Sequence, residues 1–270
     1  MEMTIGRMKV GDKLWFGAYG VSNDNPAPVL WLKGTPNGDF ITQDVLDFLP
    51  FDAKEQSSDY YSRRGWGNPV YPLSNILSFL NSENPEWWFA THPVDAPPNI
   101  GYISDHRTEY ESHFGFLYHF EDYETGAIVP QELVWEGTTL RTLIRLPSFE
   151  DILGGQRFKL FSKKGVRAHG AQDFLSGRGF RLGFDSGKFV DFWLSDSNRN
   201  GDYATIVSRS GNQQRQYPYY ASGVRPVCTL VSGTVVEPVE DGVFRIKPSE
   251  TGRDVFTDDE LMALLGMARP

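Results

Sequence analysis

Apolar residues fall mostly in short alternating runs and only rarely at helical spacing. Lys13-Leu14-Trp15-Phe16-Gly17 and Val29-Leu30-Trp31-Leu32 read as two strands around a polar turn, Ser22-Asn23-Asp24-Asn25-Pro26. Asn37-Gly38 signals a hairpin, after which Phe40-Ile41-Thr42 resumes as strand. Gln43 to Leu49 is expected to make one or two helical turns stopped by Pro50, and residues 54–69, with Arg63-Arg64-Gly65-Trp66-Gly67, a polar surface loop. Leu73, Ile76, Leu77 and Leu80 lie at i, i+3, i+4 and i+7, one apolar helical face, with Pro72 and Ser74 suited to its start and Asn81 to its end. Pro85, Pro93, Pro97 and Pro98 interrupt residues 84–101, which read as an ordered loop pinned by Trp87, Trp88 and Phe89. Phe116, Leu117, Phe120 and, further on, Ile128 predict a short helix and its continuation. Strands are expected at 140–146, 157–161, 179–184, 189–194, 203–208 and 224–231, the third on the alternation of Phe180, Leu182 and Phe184. After residue 232, Glu240-Asp241-Gly242 marks a hairpin, and Thr257-Asp258-Asp259-Glu260 is a capping box opening a short helix with Leu261, Leu264 and Leu265 on one side. The simplest organisation is one domain over 1–232 and a hairpin-and-helix extension over 233–270, which is either an edge of the core or a docking appendage.

Composition sharpens this pattern. Among 270 residues are 7 Trp, 12 Tyr, 19 Phe, 27 Gly and 17 Pro, a set that favours short strands and long ordered loops over long helices or disorder. The net charge of −9 argues against a general nucleic-acid binder and against docking on an anionic membrane. A single cysteine, Cys228, rules out an internal disulfide and a cysteine-based zinc cluster. No apolar run approaches about 18 residues, so no membrane insertion is expected. Met1-Glu2-Met3-Thr4 lacks the features of a signal peptide, which implies synthesis in the cytoplasm.

Candidate chemistry is sparse. His92, His106, His113, His119 and His169, with Asp105, Glu109, Glu111 and Glu121, are metal-ligand types, but their spacing matches no zinc motif. Gly177-Arg178-Gly179-Phe180-Arg181-Leu182-Gly183 resembles a phosphate loop, yet Leu182 stands where the third glycine belongs and the alternation says strand. Asp196-Ser197-Asn198-Arg199-Asn200-Gly201-Asp202 fits the first half of a calcium loop. Its metal candidates are Asp196, Asn198, Asn200 and Asp202, but the twelfth position is Val207 rather than a bidentate Glu, and Arg199 sits inside the loop. Cys228, in Val227-Cys228-Thr229-Leu230, reads as core rather than nucleophile. No elbow or Walker motif is present, so neither catalysis nor a cofactor is expected.

Residues 195–222 stand out instead. Asn, Ser, Gln, Arg and four Tyr are concentrated between strand-like stretches, the composition of a contact surface built from rigid aromatics and adaptable amides. Candidate ligand-binding residues are Asn198, Arg199, Asn200, Tyr203, Arg209, Asn212, Gln213, Gln214, Arg215, Tyr217, Tyr219 and Tyr220. Here Arg199, Arg209 and Arg215 outnumber Asp196 and Asp202, so the acidity of the whole chain is not shared by this segment and a polar or anionic ligand fits it.

The ordered motifs Gly11-Asp12-Lys13-Leu14-Trp15-Phe16-Gly17, Phe79-Leu80-Asn81, Gly115-Phe116-Leu117, Leu146-Pro147-Ser148-Phe149-Glu150-Asp151, Phe192-Trp193-Leu194-Ser195 and Ser222-Gly223-Val224-Arg225-Pro226-Val227 together resemble a bacterial and phage family of unknown function. That family is similar to C-type-lectin-like domains, among them phage tropism determinants and the formylglycine-generating-enzyme fold. The resemblance implies an α+β C-type-lectin-like fold with Gly223-Val224-Arg225-Pro226 as the closing core strand, Trp193 as a core aromatic, and 195–222 as the ligand-facing surface. The lectin cysteines and sugar-binding calcium signature are missing, and Ser195 replaces the family's arginine. The resemblance also implies a virion protein that is a non-catalytic binding module. Its expected partners are other virion proteins, a host-surface glycan or protein, and copies of itself in a homo-oligomer. A purely structural virion protein and an enzyme on the same fold are the alternatives.

Overall fold

In the computed structural model, which describes residues 2–20, 26–54, 61–87, 113–135, 137–153, 158, 167–169, 189–196 and 201–248, the alternating runs become strands. In chain order they are β1 (Lys13–Tyr19), β2 (Ala27–Lys33), β3 (Asp39–Thr42), β4 (Asp47–Pro50), α1 (Tyr61–Trp66), α2 (Asn75–Leu80), α3 (Asp122–Thr125), β5 (Gln131–Trp135), β6 (Thr138–Thr142) and α4 (Phe149–Ile152). There follow β7 (Ala168–His169), β8 (Phe189–Val190), β9 (Phe192–Trp193), β10 (Ala204–Val207), β11 (Gln213–Gln216), β12 (Ala221–Val224), β13 (Val227–Thr229), β14 (Val236–Glu240) and β15 (Val243–Ile246). The architecture is α+β, mostly sheet with few short helices. No described helix is long and apolar enough to cross a membrane.

Two sheets carry the fold. One has the order β13-β3-β2-β1-β15-β14, the other β11-β10-β9-β12-β4, and the pairs β5-β6 and β7-β8 stand apart. Pairing is antiparallel except for β1 with β15 and β12 with β9. Neighbouring residues of one strand enter different cores, as a two-residue period requires. Phe40, Cys228, Leu49 and Trp193 join a large cluster with Leu14 and Trp31, whereas Ile41, Val227, Phe48 and Phe192 join a second one with Ile152 and Phe158. The buried indoles of Trp31, Trp193 and Trp87 donate to the carbonyls of Phe16, Leu49 and His113, each at 2.8 Å.

The chain passes between the sheets twice, side by side. β3 leaves the six-stranded sheet and becomes β4 of the other, while β12 crosses back to become β13. Hydrogen bonds donated by the Thr42 amide to the Pro226 carbonyl (3.1 Å) and by the Leu46 amide to the Val224 carbonyl (2.9 Å) hold the crossings together. Arg225, 1% exposed, lies at this corner and donates from Nε to the Thr42 carbonyl at 3.0 Å and from Nη2 to the Gln43 carbonyl at 3.2 Å. Burial pushes its guanidinium down to about 10, opposed by nearby Asp44. The expected single closing strand is therefore two strands divided by a buried arginine and a proline.

Three local readings change. The segment read as a helical turn holds β4, because its residues pair with β12 from Asp47↔Val224 to Pro50↔Ala221. Part of the expected surface loop is α1. The helix expected around Phe116 and Phe120 begins only at Asp122, where Glu121 and Glu124 form a capping box. Glu124 Oε1 also accepts the Gly17 amide at 2.8 Å. Gly17 has φ 65° at the irregularity in β1, and a Cβ there would stand 1.3 Å from the Phe120 ring, so glycine lets this segment lie against the sheet. The motif Leu146-Pro147-Ser148-Phe149-Glu150-Asp151 starts α4: Ser148 and Asp151 cap each other, and Asp151 also pairs with Arg145 at 2.5 Å.

The hairpin expected beyond residue 232 is β14-β15, and it is an edge of the six-stranded sheet, with β15 parallel to β1 from Lys13↔Val243 to Trp15↔Arg245. Gly242, φ 69°, makes its turn. The expected strand at 179–184, the glycine-rich run 177–183 and the helix near 257–265 lie outside the described residues, as does the expected strand at 157–161 apart from Phe158.

Candidate functional site

The site is built where α1 meets the loop between β11 and β12. Asp52, wholly buried, accepts the Asn68 amide on Oδ2 at 2.7 Å and the Asn75 amide on Oδ1 at 2.9 Å. The Asn75 side-chain oxygen in turn accepts the Ala53 amide at 2.8 Å. The Pro218 carbonyl accepts the Phe51 and Asp52 amides at 2.8 and 3.1 Å, and Trp66 O accepts the Tyr219 amide at 3.2 Å. Gly67, φ 79°, permits this convergence, since a Cβ there would come within 2.4 Å of the Asp52 carbonyl oxygen.

On that frame lies an aromatic stack. Trp66, 37% exposed, is stacked on Tyr217 with centroids 5.0 Å apart and planes 24° from parallel. Tyr217 meets Tyr203 at 4.5 Å, their hydroxyls bonded at 2.9 Å, and Tyr219 meets Tyr220 at 4.4 Å. Lys54 Nζ stands 3.7 Å from the Tyr219 ring centroid and 6.0 Å from that of Trp66. The hydrogen bond with Tyr203, partial burial and the nearby Asp202 and Tyr220 together push the Tyr217 phenol above its ordinary value. Tyr219 itself is buried, so it supports the stack, while Trp66, Tyr203, Tyr217 and Tyr220 retain accessible surface.

The stack continues onto β11, the edge of the five-stranded sheet. Its register with β10 runs Ala204↔Gln216, Thr205↔Arg215, Ile206↔Gln214 and Val207↔Gln213. Arg215 and Gln213 therefore share the face that Tyr217 and Tyr203 extend. Gln213, Gln214 and Arg215 are exposed, and among the described residues their side chains have no hydrogen-bond or ion-pair partner. At the far end of the hairpin the candidates serve the turn. The Arg209 amide donates to Asp191 Oδ1 at 2.6 Å, its side chain stands 3.6 Å from the same oxygen, and Asn212 bonds Ser210 at 3.1 Å. Asn198, Arg199 and Asn200 lie outside the described residues.

Trp66 and Lys54 escaped the sequence reading. Trp66 sits in a glycine-flanked polar stretch, and its stacking partner is remote in the chain. The other chemical candidates are placed differently. The Asp196 carboxylate accepts the Phe149 amide at the start of α4, and burial first, with Asp151 and Glu150 nearby, raises its pKa. His113 is buried and its Nε2 stands 3.4 Å from Asp47. The Cys228 thiol is buried in β13 and pushed well up by burial and by Asp39. Among the described residues, no three His, Cys, Asp or Glu side chains gather as a metal set. Compared with protein-family models, curated proteins and solved structures, the chain matches none.

Proposed function

We propose that this chain is a non-catalytic binding module of a phage or prophage virion, with a C-type-lectin-like fold, that contacts a host-surface glycan or protein through the Trp66–Tyr217 stack. The observation that carries the reading is a partly exposed aromatic platform held on buried backbone bonds to Asp52 and Pro218 and bordered by amide and guanidinium side chains with no partner among the described residues. Rigid aromatics offer large contact area at small entropic cost, and the amides beside them adapt their hydrogen bonds to a partner. The virion setting rests on the resemblance of the ordered motifs, from Gly11-Asp12 to Arg225-Pro226, to the phage and bacterial family.

The test applies the labelled full chain, wild type and Trp66→Ala, to a panel of whole bacteria. Decoration of a subset of strains, lost by about tenfold or more in Trp66→Ala with an unchanged melt, supports the reading. Unchanged decoration by the variant removes the stack as the contact site. If no strain is decorated, the adhesin role falls. A purely structural virion role then gains, for which the exposed Val134 on β5 and Val239 on β14, 67% and 53% accessible, are the supporting observation as subunit contacts.

A further inference from the structure

We infer that the ligand of this surface is an acidic saccharide, its sugar ring stacked on the aromatic platform and its carboxylate held by Arg215. The inference rests on the binding-module reading above and adds the ligand's chemistry. Three features converge on it.

The first is shape. Trp66 lies almost parallel on Tyr217, whose ring also lies against Tyr203 with centroids 4.5 Å apart, so the partly exposed Trp66 offers the outer face of the stack. Flat aromatic faces receive the C–H face of a pyranose and leave its hydroxyls to polar neighbours, here Gln213 and the Tyr220 and Tyr203 hydroxyls.

The second is charge. Arg215 is exposed, and neither it nor Lys54 has an ion-pair partner among the described residues, although the chain as a whole carries −9. Arg209, the other described arginine of the segment, is already beside Asp191. A guanidinium binds a carboxylate through two parallel hydrogen bonds, so Arg215 selects for an acid and not only for a polar group.

The third is spacing. Arg215 on the edge strand β11 and Tyr217, the first residue beyond it, are two positions apart, about 7 Å along an extended chain, which sets the cation beside the aromatic stack. Asp202 precedes Tyr203, at the end of the tyrosine pair away from Arg215, and does not lie between ring and cation in the strand order.

Arg beside stacked aromatics also suits a single-stranded nucleic acid. A polyanion spanning many phosphates would, however, meet the acidic remainder of the molecule, whereas one carboxylate bound at Arg215 stays on the side of the tyrosine pair away from Asp202.

The test is calorimetric titration of the full chain with two matched pairs, trigalacturonate against its methyl ester and sialyllactose against lactose. The expected result is that one acidic member binds about tenfold or more tighter than its neutral counterpart. Arg215→Gln should abolish that preference, and Tyr217→Ala should weaken both members. Arg215 is exposed, so its variant should fold, which an unchanged near-ultraviolet circular dichroism spectrum verifies. Equal affinity for acid and ester, or a preference that survives Arg215→Gln, overturns the inference. So does tighter binding of an oligothymidylate than of either acid. If decorated bacteria are found while no saccharide binds, the acidic-saccharide inference falls and the binding-module reading stands. Absence of both defeats the two together.

Discussion

Asp47 is a residue on which both sheets depend. It lies in β4, is 2% exposed, accepts the Tyr19 hydroxyl from β1 and the Phe48 amide, and has His113 Nε2 at 3.4 Å. Burial alone would raise its pKa, but the His113 charge and the hydrogen bonds from His113, Tyr19 and Phe48 hold the carboxyl below the usual carboxylate range. The same arrangement pushes the Tyr19 phenol well up, through burial first and then Asp47. A carboxyl with a depressed folded pKa contributes stability that is complete above its unfolded value and is lost as pH falls through the folded one. Urea unfolding followed across acidic pH should therefore show a steep loss of stability below the ordinary carboxylate range. Asp47→Asn should begin about 3 kcal/mol less stable at neutral pH and decline less steeply on acidification. Identical acid slopes in the two proteins would show that other carboxylates set the acid sensitivity.

At the scale of elements, α1 and the loop after it decide where Trp66 stands, and its two glycines respond oppositely to the same substitution. Gly65 lies within the helix with open space where a Cβ would be, so Gly65→Ala should stabilise by about 0.5–1 kcal/mol. Gly67 has φ 79° and the Asp52 carbonyl 2.4 Å from a Cβ, so Gly67→Ala should cost about 1–3 kcal/mol and move Trp66 off Tyr217. Thermal melts give the signs, and near-ultraviolet circular dichroism reports the Trp66–Tyr217 stack; two variants of equal stability would disprove the tight approach at Gly67. The same elements explain what the sequence made legible. Asn37-Gly38 and the apolar face ending at Leu80 encode their turn and α2 locally, and both are found. Val45, Leu46 and Leu49 also mimic a helical face, but the partner strand β12 lies more than 170 residues away and makes Asp47–Pro50 a strand. β11 carried no alternation because Gln213-Gln214-Arg215-Gln216 is polar throughout, as an edge strand tolerates. The tyrosines of the site were visible because they are concentrated in one segment. Trp66 and Lys54 were not, because only the Asp52 and Pro218 bonds bring them there.

For the whole molecule, the question is how much of the fold lies beyond residue 232. β15 covers the edge of β1, and the first residues of the chain hang on the same strip: Ile5 donates to Thr234 at 3.0 Å, Gly6 to Ser232 at 2.8 Å, and Val236 to Met3 at 3.0 Å. Val236 and Ile246 belong to the main core cluster and Val243 is buried beside them. Removing everything after 232 would expose these partners and bare the ladder edge of β1. Each such side chain contributes about 1.5–3 kcal/mol by burial, so the loss approaches the total stability of about 5–15 kcal/mol that a folded domain possesses. The truncated chain should thus lose its cooperative melt or aggregate through β1, since an uncovered strand edge recruits other strands. Val239 points away from this packing, being 53% exposed on β14, and Val239→Lys should leave the melt within about 0.5 kcal/mol of wild type. A truncated chain that melts like the full one would make the hairpin an attachment; a collapse of the melt on truncation, with Val239→Lys silent, makes β14 and β15 an integral part of the six-stranded sheet.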